Sequence, residues 1–392
     1  MKQAKVFIIY HPAGLTLFKP IVDLIRENYP DIDCFLIKVF HPYWKGFEAE
    51  GFLSGYNLTF SLPDVEYKTN IISGWPQAWL FQKKTREICK TLITRYEKIN
   101  VYTMNSAYLP VNILLNQFYR SSVANIYRFG RGSHADLTNE PRDRLHSIIT
   151  SSYCYIFGLF KVLTIKLPGI TSYIYSHGNP TREVMLENPY ASTGSEKLKH
   201  AESVLPEPFL LLKRRQNAGR NLVVIFGDST ILKTYSQYIN DVGNYDKNVQ
   251  DFFTRLKSFY KGHTLLYKPH LSDYGRVESV IEQLGFTIYN EQKDAEMLLI
   301  DNLERVKAVY SFSSTASVLA SLMRIPAYHF YKIFFNAEGV KALDELAEKG
   351  GWYGNPYFRR LLTTDEIGSI DSIPIETDME HSWRERWVEF LK

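Results

Sequence analysis

Three short polar segments in the second half of the chain have the residue types of an anion-binding site. Each follows an apolar stretch typical of a buried strand, and the segments are Gly227-Asp228-Ser229-Thr230, Lys268-Pro269-His270 and Ser311-Phe312-Ser313-Ser314-Thr315. Open α/β sheets bind ligands at the carboxyl ends of their strands. We therefore expect the three segments to lie together at one edge of a sheet.

The third segment runs into the helix-like sequence ASVLASLM. Its backbone amides and hydroxyls would then face whatever lies over the positive end of the helix. Ser313 and Ser314 alone are an ordinary helix cap, and His270 alone is an ordinary turn histidine. Together, an imidazole, two hydroxyls and a helix start indicate a site for the phosphate of a nucleoside monophosphate.

The elements that must hold these segments alternate between strands and helices. In the first half, strands are predicted at Val6–Tyr10, Cys34–Phe40, Asn100–Ser106 and Ser122–Tyr127, and helices at Leu17–Asn28 and Lys83–Ile99. Strand, helix and strand in that order favour a parallel, doubly wound sheet.

The same alternation restarts after a proline-rich connection at residues 205–208. Strands are predicted at NLVVIFGD, HTLLYKPH, FTIYN and Lys307–Ser311, with helices between them. Neither half has the GxGxxG fingerprint of a dinucleotide-binding domain. We predict an α/β protein of GT-B architecture, with two facing Rossmann-like domains and a central cleft. The domains are residues 1–200 and 201–392, with the last helix crossing back.

The composition excludes several classes of protein. The chain has 392 residues, of which 45% are hydrophobic and 22% charged, so it is globular rather than disordered. A net charge of +4, spread along the chain, is too small for a nucleic-acid-binding protein. Cys34, Cys89 and Cys154 form no metal-ligand cluster. We expect no metal, no cofactor and no nucleic-acid partner.

The second half resembles the bacterial GT-B sialyltransferases and polysialyltransferases of lipooligosaccharide and capsule synthesis. The shared pattern runs from Asn221 to Tyr331 and comprises IFGDST, YKPHLSDYG, the acidic segment Asp294–Leu299, and YSFSSTASVLASL followed by RIPAYHFY. One departure is Leu271, where the family usually has a proline after the histidine.

The resemblance implies a site for the CMP part of a CMP-activated sugar. The residues that would hold the phosphate of CMP, and stabilise it as it departs, are His270, Ser313 and Ser314. Those that would line the cytidine and ribose pocket are Gly227, Asp228 and Glu296. Lys268 and Thr315 belong to the same strand-end segments and are assigned to the same site.

The first half departs further from the family, in the stretch Asn125–His134. Family members have two acidic residues and a glycine there, and one carboxylate deprotonates the acceptor. This chain has Arg128 and Phe129 in place of the acidic pair. The nearest groups able to take a proton are His134 and Asp136, and the sequence does not choose between them. A base at Glu140 and a retaining mechanism are the alternatives.

Four residues of this stretch are predicted to bind substrate. Arg128 and Arg131 would pair with the carboxylate of the sugar or with an anionic acceptor, because a guanidinium binds a carboxylate through two parallel hydrogen bonds. Gly130 and Ser133 match a glycine and a serine of the family pattern.

By this resemblance, the chain is expected to transfer a nonulosonic acid, foremost sialic acid, from a CMP-sugar to a hydroxyl of a bacterial surface glycan. The first domain would bind the acceptor, an oligosaccharide or glycolipid, and the second domain the donor. The alternatives are a transferase for Kdo, legionaminic or pseudaminic acid, a polymer-forming transferase that uses CDP-glycerol, and a GT-B protein that binds glycan without turnover.

No apolar run predicts a signal peptide or a membrane span, so a cytoplasmic protein is expected. In the segment Tyr153–Tyr175, Lys161 and Lys166 stand among apolar and aromatic residues. This segment would connect the domains or contact the inner face of the membrane peripherally. A buried crossover helix is the alternative.

Overall fold

The computed structural model describes residues 2–39, 44, 50–62, 71–104, 109–131, 163–167, 170–174, 181–190, 201–212, 219–227, 236–270, 278–290, 294–349, 352, 354–370 and 377–392. The chain separates into two compact units. The first comprises Met1–Leu186, Ser195–Leu205 and Trp387–Lys392, and the second comprises Glu187–Gly194 and Pro206–Arg386.

The first unit is built on a seven-stranded sheet. The described strands in the first half of the chain are β1 (Gln3–Ile9), β2 (Asp33–Lys38), β3 (Leu58–Ser61), β4 (Lys98–Thr103), β5 (Ala124–Arg131), β6 (Leu163–Leu167), β7 (Ile170–Ile174), β8 (Arg182–Glu187) and β9 (Ser203–Pro206). The sheet has the order β3-β2-β1-β4-β5-β8-β9, and its strands from β3 to β8 pair in parallel. β6 and β7 pair with each other in antiparallel fashion.

Helices cover both faces of this sheet. They are α1 (Ala13–Asn28), α2 (Glu50–Leu53), α3 (Ile71–Arg95) and α4 (Leu109–Tyr119). α3 and α4 pack together, and their buried side chains, Phe81 and Leu114 among them, form a core with those of β1, β2 and β4. A second apolar cluster contains the rings of Phe7, Phe18, Tyr102 and Phe129, of which Phe18 lies on α1.

The second unit is built on a six-stranded parallel sheet. Its strands are β10 (Leu222–Phe226), β11 (Thr264–Lys268), β12 (Thr287–Ile288), β13 (Val306–Ser311), β14 (Ala327–His329) and β15 (Phe358–Arg360), in the order β12-β11-β10-β13-β14-β15. Its described helices are α5 (Tyr245–Phe259), α6 (Glu278–Gln283), α7 (Ala295–Asp301), α8 (Thr315–Leu322), α9 (Tyr331–Phe334) and α10 (Ala337–Lys349), and the chain ends in α11 (Thr377–Leu391).

The end of α11 belongs to the first unit. Trp387 is fully buried, and its ring stacks on that of Phe129 with the centroids 6.0 Å apart. Lys5 Nζ donates a hydrogen bond to the Leu391 carbonyl at 2.7 Å. This bond satisfies one of the carbonyls that the end of a helix leaves unpaired. The last turn of the chain therefore completes the core around the first strand.

Both sheets have the strand order of a doubly wound Rossmann sheet, in which the chain moves outward from β1 or β10 in one direction and then in the other. The α/β class and the two Rossmann-like sheets predicted for a GT-B protein are confirmed. No described helix combines the length and the apolar character needed to cross a membrane.

Three predicted elements need correction. The helix predicted to reach Ile99 ends at Arg95, because Lys98–Thr103 pairs with β1 as a buried strand. β5 continues past Tyr127 to Arg131, because β8 supplies a pairing partner over that length. A crossover helix is wrong for residues 163–167 and 170–174, which form the β6–β7 pair; residues 153–162, 168–169 and 175 lie outside the described residues.

Candidate functional site

The three polar segments begin at one edge of the second sheet. Phe226, the last residue of β10, lies beside Lys268 of β11 on one side and Ser311 of β13 on the other. The N–H of Gly227 continues the pairing by donating to the Lys268 carbonyl at 2.9 Å. Neighbouring strands are about 4.8 Å apart, so the outer two strand ends are separated by about 10 Å. Because the order of the strands reverses here, this edge is where open α/β sheets bind ligands.

The segments differ in how far their side chains reach solvent. His270 and Thr315 are exposed, whereas Lys268, Ser313 and Ser314 are half-buried. Gly227 is buried, and Asp228 lies outside the described residues, as do Ser229 and Thr230. The described side chains at this edge are therefore within reach of a ligand.

A network of serines fixes the start of α8. Ser314 is its N-cap, and its Oγ accepts a hydrogen bond from the N–H of Ala316 at 3.2 Å. The N–H of Ser314 donates to Ser311 Oγ at 3.1 Å, and Ser311 Oγ lies 2.6 Å from Ser317 Oγ. A hydroxyl that accepts a cap bond keeps its own hydrogen for donation. The Ser314 O–H and the N–H of Thr315, the first residue of α8, can thus donate to an anion.

A buried histidine supports the same residue from β14. His329 is 1% exposed, and its Nε2 lies 3.0 Å from the carbonyl oxygen of Ser314. Burial lowers the pKa of His329 to about 4, and the nearby Arg360 charge adds to this, while the hydrogen bond to Ser314 opposes it. His329 is therefore a neutral donor that positions the cap.

Two carboxylates and a lysine share the region beside β11. Burial raises the pKa of Asp294 to about 6; the negative charge of Glu296 adds to this rise, and the positive charge of Lys268 opposes it. Burial also lowers the pKa of Lys268, against the attraction of Asp294 and Glu296. Asp294 stands at the N-cap of α7 but makes no cap hydrogen bond, and its Oδ2 is a buried acceptor without a partner among the described residues.

α7 and α8 pack against each other in the second unit. Glu296 lies in the first turn of α7, and Ser314 and Thr315 lie at the start of α8. Packing of the two helices brings Glu296 and the start of α8 into the same part of the unit. The edge can therefore bind hydroxyl groups and an anion side by side.

In the first unit, the predicted substrate residues lie at the end of β5. Arg128 Nε donates to Glu183 Oε1 and Oε2 at 2.8 and 2.6 Å, and both residues are mostly buried. Arg128 and Glu183 are directly paired across β5 and β8. Gly130 and Arg131 are the following strand residues, while Ser133, His134 and Asp136 lie outside the described residues.

Phe129, which stands where the family has a carboxylate, is a core residue. It is 2% exposed and contacts the rings of Phe18 and Trp387. A carboxylate at this position would be buried among aromatic rings. The position therefore serves packing in this chain.

The chain also contains an Asp-x-Asp pair, Asp31 and Asp33. The prediction that the chain binds no metal did not consider this pair. Asp33 is the first residue of β2, accepts a hydrogen bond from the Tyr96 hydroxyl and lies 3.7 Å from Lys2 Nζ. Both aspartates lie at the amino end of β2. They are thus at the opposite edge of the sheet from the strand ends where a ligand is expected.

Three residues that shape the site were not selected from the sequence: Asp294, Ser317 and His329. Serines at 311, 314 and 317 recur at every third position across the junction of strand and helix, and this spacing is a signal for a hydroxyl network. Asp294 precedes an apolar helix as an ordinary cap would. No local signal distinguishes His329, because its burial depends on β15 and residues near Trp352.

Neither a family model nor a curated protein sequence matches this chain. Solved structures with a similar course of the chain include a putative UDP-N-acetylglucosamine 2-epimerase from Listeria monocytogenes, with 10% identity, a TM-score of 0.46, and coverage of 91% of this chain and 92% of that one. A sialyltransferase from Photobacterium damsela has 11% identity and a TM-score of 0.48, and covers 92% of this chain and 81% of that one. A 2,6-sialyltransferase from Photobacterium sp. JT-ISH-224 has 11% identity and a TM-score of 0.44, with coverage of 92% and 78%. At these identities and TM-scores, no substrate or catalytic residue transfers from them to this chain.

Proposed function

We propose that this protein is a glycosyltransferase that moves a nonulosonic acid, foremost sialic acid, from a CMP donor to a hydroxyl of a surface glycan. The observation that carries the proposal is the capped start of α8 at the point where the strand order of the second sheet reverses. Such a helix start favours a phosphate group. A nucleotide is the common ligand of this edge in open α/β sheets.

The phosphate of CMP would lie over the start of α8. The Ser314 hydroxyl, the Ser313 hydroxyl and the N–H of Thr315 would donate to it, and His270 would approach from the end of β11. When the bond between sugar and phosphate breaks, negative charge grows on the phosphate oxygens. Donors already in place stabilise that charge more than they stabilise the bound donor, and this lowers the barrier.

The nucleoside would lie toward Gly227, Asp228 and Glu296. Carboxylates accept hydrogen bonds from ribose hydroxyls and from the amino group of cytosine. Two carboxylates, Asp294 and Glu296, stand beside Lys268. Their charge favours a donor with one phosphate over a donor with two, because each added phosphate charge is repelled.

The acceptor would be bound and activated by the first unit. His134 or Asp136 would take the proton of the acceptor hydroxyl, and the segment from Arg128 to Ser133 would bind the substrate. Arg128 is held by Glu183. We therefore propose that Arg131, rather than Arg128, is the main partner of the sugar carboxylate.

The test is a panel of nucleotides followed by an activity assay. Calorimetry with CMP, CDP and UDP should give the tightest binding for CMP, and CMP-sialic acid should be hydrolysed or transferred by the wild type. His270→Ala should lower the rate by about 100-fold, as loss of one stabilising donor does. The exposed histidine variant His381→Ala, on α11, is the matched control and should keep the wild-type rate. Binding of UDP without binding of CMP would refute the donor assignment.

A further inference from the structure

A cavity lies in the first unit, between α3 and the end of α4. Its volume is about 490 Å³, which is the size of a small-molecule site. The lining residues of α4 lead into the start of β5, so the cavity lies toward the amino edge of the sheet. β5 has 8 residues and spans about 26 Å. The cavity is thus separate from any site at the carboxyl edge.

Among the described residues that line this cavity, three have a positive side chain and none has a carboxylate; the three are Arg86, Lys90 and Arg120. All three are exposed. Arg86 and Lys90 are four residues apart on α3, so they lie on the same side of the helix. The carbonyl end of α4 carries about half a negative charge. That offsets only a small part of three full positive charges, and the cavity therefore attracts anions.

Amides and hydroxyls complete the lining. Gln82, Asn116 and Gln117 carry the amides, and Ser121 and Ser122 the hydroxyls. Gln117 Nε2 donates to Thr85 Oγ1 at 2.6 Å, which fixes the side chain, and its Oε1 is a buried acceptor without a partner among the described residues. Each amide offers both donors and acceptors. Sugar hydroxyls need this combination, because each hydroxyl both donates and accepts.

We propose that this cavity, the α3–α4 cavity, binds a saccharide that carries a carboxylate or a phosphate. The guanidinium groups would pair with the anionic group, and the amides and serines with the ring hydroxyls. Cys89 and Ile93 supply an apolar surface for the C–H side of the ring. The proposal rests on the lining alone and does not depend on the reaction assigned to the second unit.

Equilibrium binding to the full chain tests the class of ligand. Glucose 6-phosphate and glucuronic acid are the acidic probes, and glucose and inorganic phosphate are the comparisons. We expect each acidic sugar to bind more tightly than either comparison. Inorganic phosphate binding as tightly as glucose 6-phosphate would overturn the proposal, because the cavity would then hold any anion.

Variants test the place of binding. Arg86→Gln and Arg120→Gln should each weaken binding of glucose 6-phosphate about tenfold or more, since each removes a charge-assisted hydrogen bond. Lys84→Gln removes the same charge from an exposed position of α3 outside the cavity, and it should change binding less than twofold. An equal loss in Lys84→Gln would mean that diffuse positive charge attracts the probe, which contradicts the proposal.

Two further measurements distinguish the α3–α4 cavity from the proposed nucleotide site and from a lipid-binding surface. His270→Ala should bind glucose 6-phosphate like the wild type. The affinity for glucose 6-phosphate can therefore be tested even if the proposed transferase activity is absent. Vesicles of phosphatidylglycerol should not bind in a manner that depends on Arg86. Vesicle binding that Arg86→Gln abolishes, without binding of either acidic sugar, would replace the saccharide with a lipid surface and overturn the proposal.

Discussion

His329 and Ser314 are joined by a hydrogen bond from a buried imidazole to the backbone carbonyl of the residue that caps α8. A carbonyl oxygen only accepts, so Nε2 carries the hydrogen. The cap of the proposed phosphate site is therefore held by a side chain that itself has no access to solvent.

We expect this arrangement to make the protein sensitive to acid. The pKa of His329 is about 4 in the folded protein and 6.5 in the unfolded chain, so only the unfolded chain binds the proton between those values. His329 thus contributes stability above pH 6.5 that is lost as the pH falls toward 4, about 3 kcal/mol in total. Denaturant titrations at several pH values measure the loss.

His329→Gln, which does not titrate, should lack this part of the pH dependence. Asp294 contributes a slope of opposite sign in both proteins, so the difference between wild type and variant isolates the histidine. The exposed His381→Gln is the control and should follow the wild type. Parallel curves for wild type and His329→Gln would contradict the prediction.

Substitutions of Ser314 should separate its role in capping α8 from its proposed role in nucleotide binding. Ser314→Ala should lower the free energy of unfolding by about 1 kcal/mol, because the cap to Ala316 is lost. Ser314→Asp should keep the cap and the stability, yet weaken CMP binding more than tenfold, because a negative charge would face the phosphate. Ser258→Asp, at an exposed position of α5, is the control for added charge. Wild-type CMP affinity in Ser314→Asp would remove α8 from the site.

Asp294→Asn should stabilise the protein at alkaline pH. The pKa of Asp294 is raised from 3.8 to about 6 in the folded protein, so the folded form is favoured while the carboxyl is protonated and is penalised once it ionises. Above pH 6 the variant should gain up to about 2 kcal/mol, since partial exposure reduces the full effect. Near pH 4 the two proteins should be equal. A constant difference across this range would exclude ionisation as the cause.

Phe129 should behave as a core residue rather than as a site residue. Phe129→Ala should lower the free energy of unfolding by about 3–5 kcal/mol, because it opens a cavity against Trp387. Phe129→Asp, which restores the acidic residue of the family pattern, should unfold the first unit instead of raising activity. Tyr119→Ala, at a side chain that is 55% exposed, should change stability by less than about 0.5 kcal/mol.

The fold was largely predictable because the central strands of both sheets are buried and parallel, and such strands appear in the sequence as short apolar runs. Val306–Ser311 and Leu222–Phe226 are examples, buried almost throughout. Strand ends depend on a partner instead. β5 runs to Arg131 only because β8 pairs with it, and no local pattern marks that partner.

The candidate site was predictable in its positions but not in its contacts. Parallel pairing fixes the level at which Gly227, Lys268 and Ser311 leave the sheet, so their proximity followed from the order of strands. The pairing of Arg128 with Glu183 and the unusual pKa of Asp294 arise from burial by distant segments. Such burial has no signature in a local stretch of residues.

The placement of Trp387 and Leu391 has a consequence for how the protein is made. Both residues leave the ribosome after the entire second unit, whereas Phe129 and Lys5, which contact them, leave it long before. During synthesis, part of the apolar surface of the first sheet therefore stays uncovered until Trp387 and Leu391 have been made.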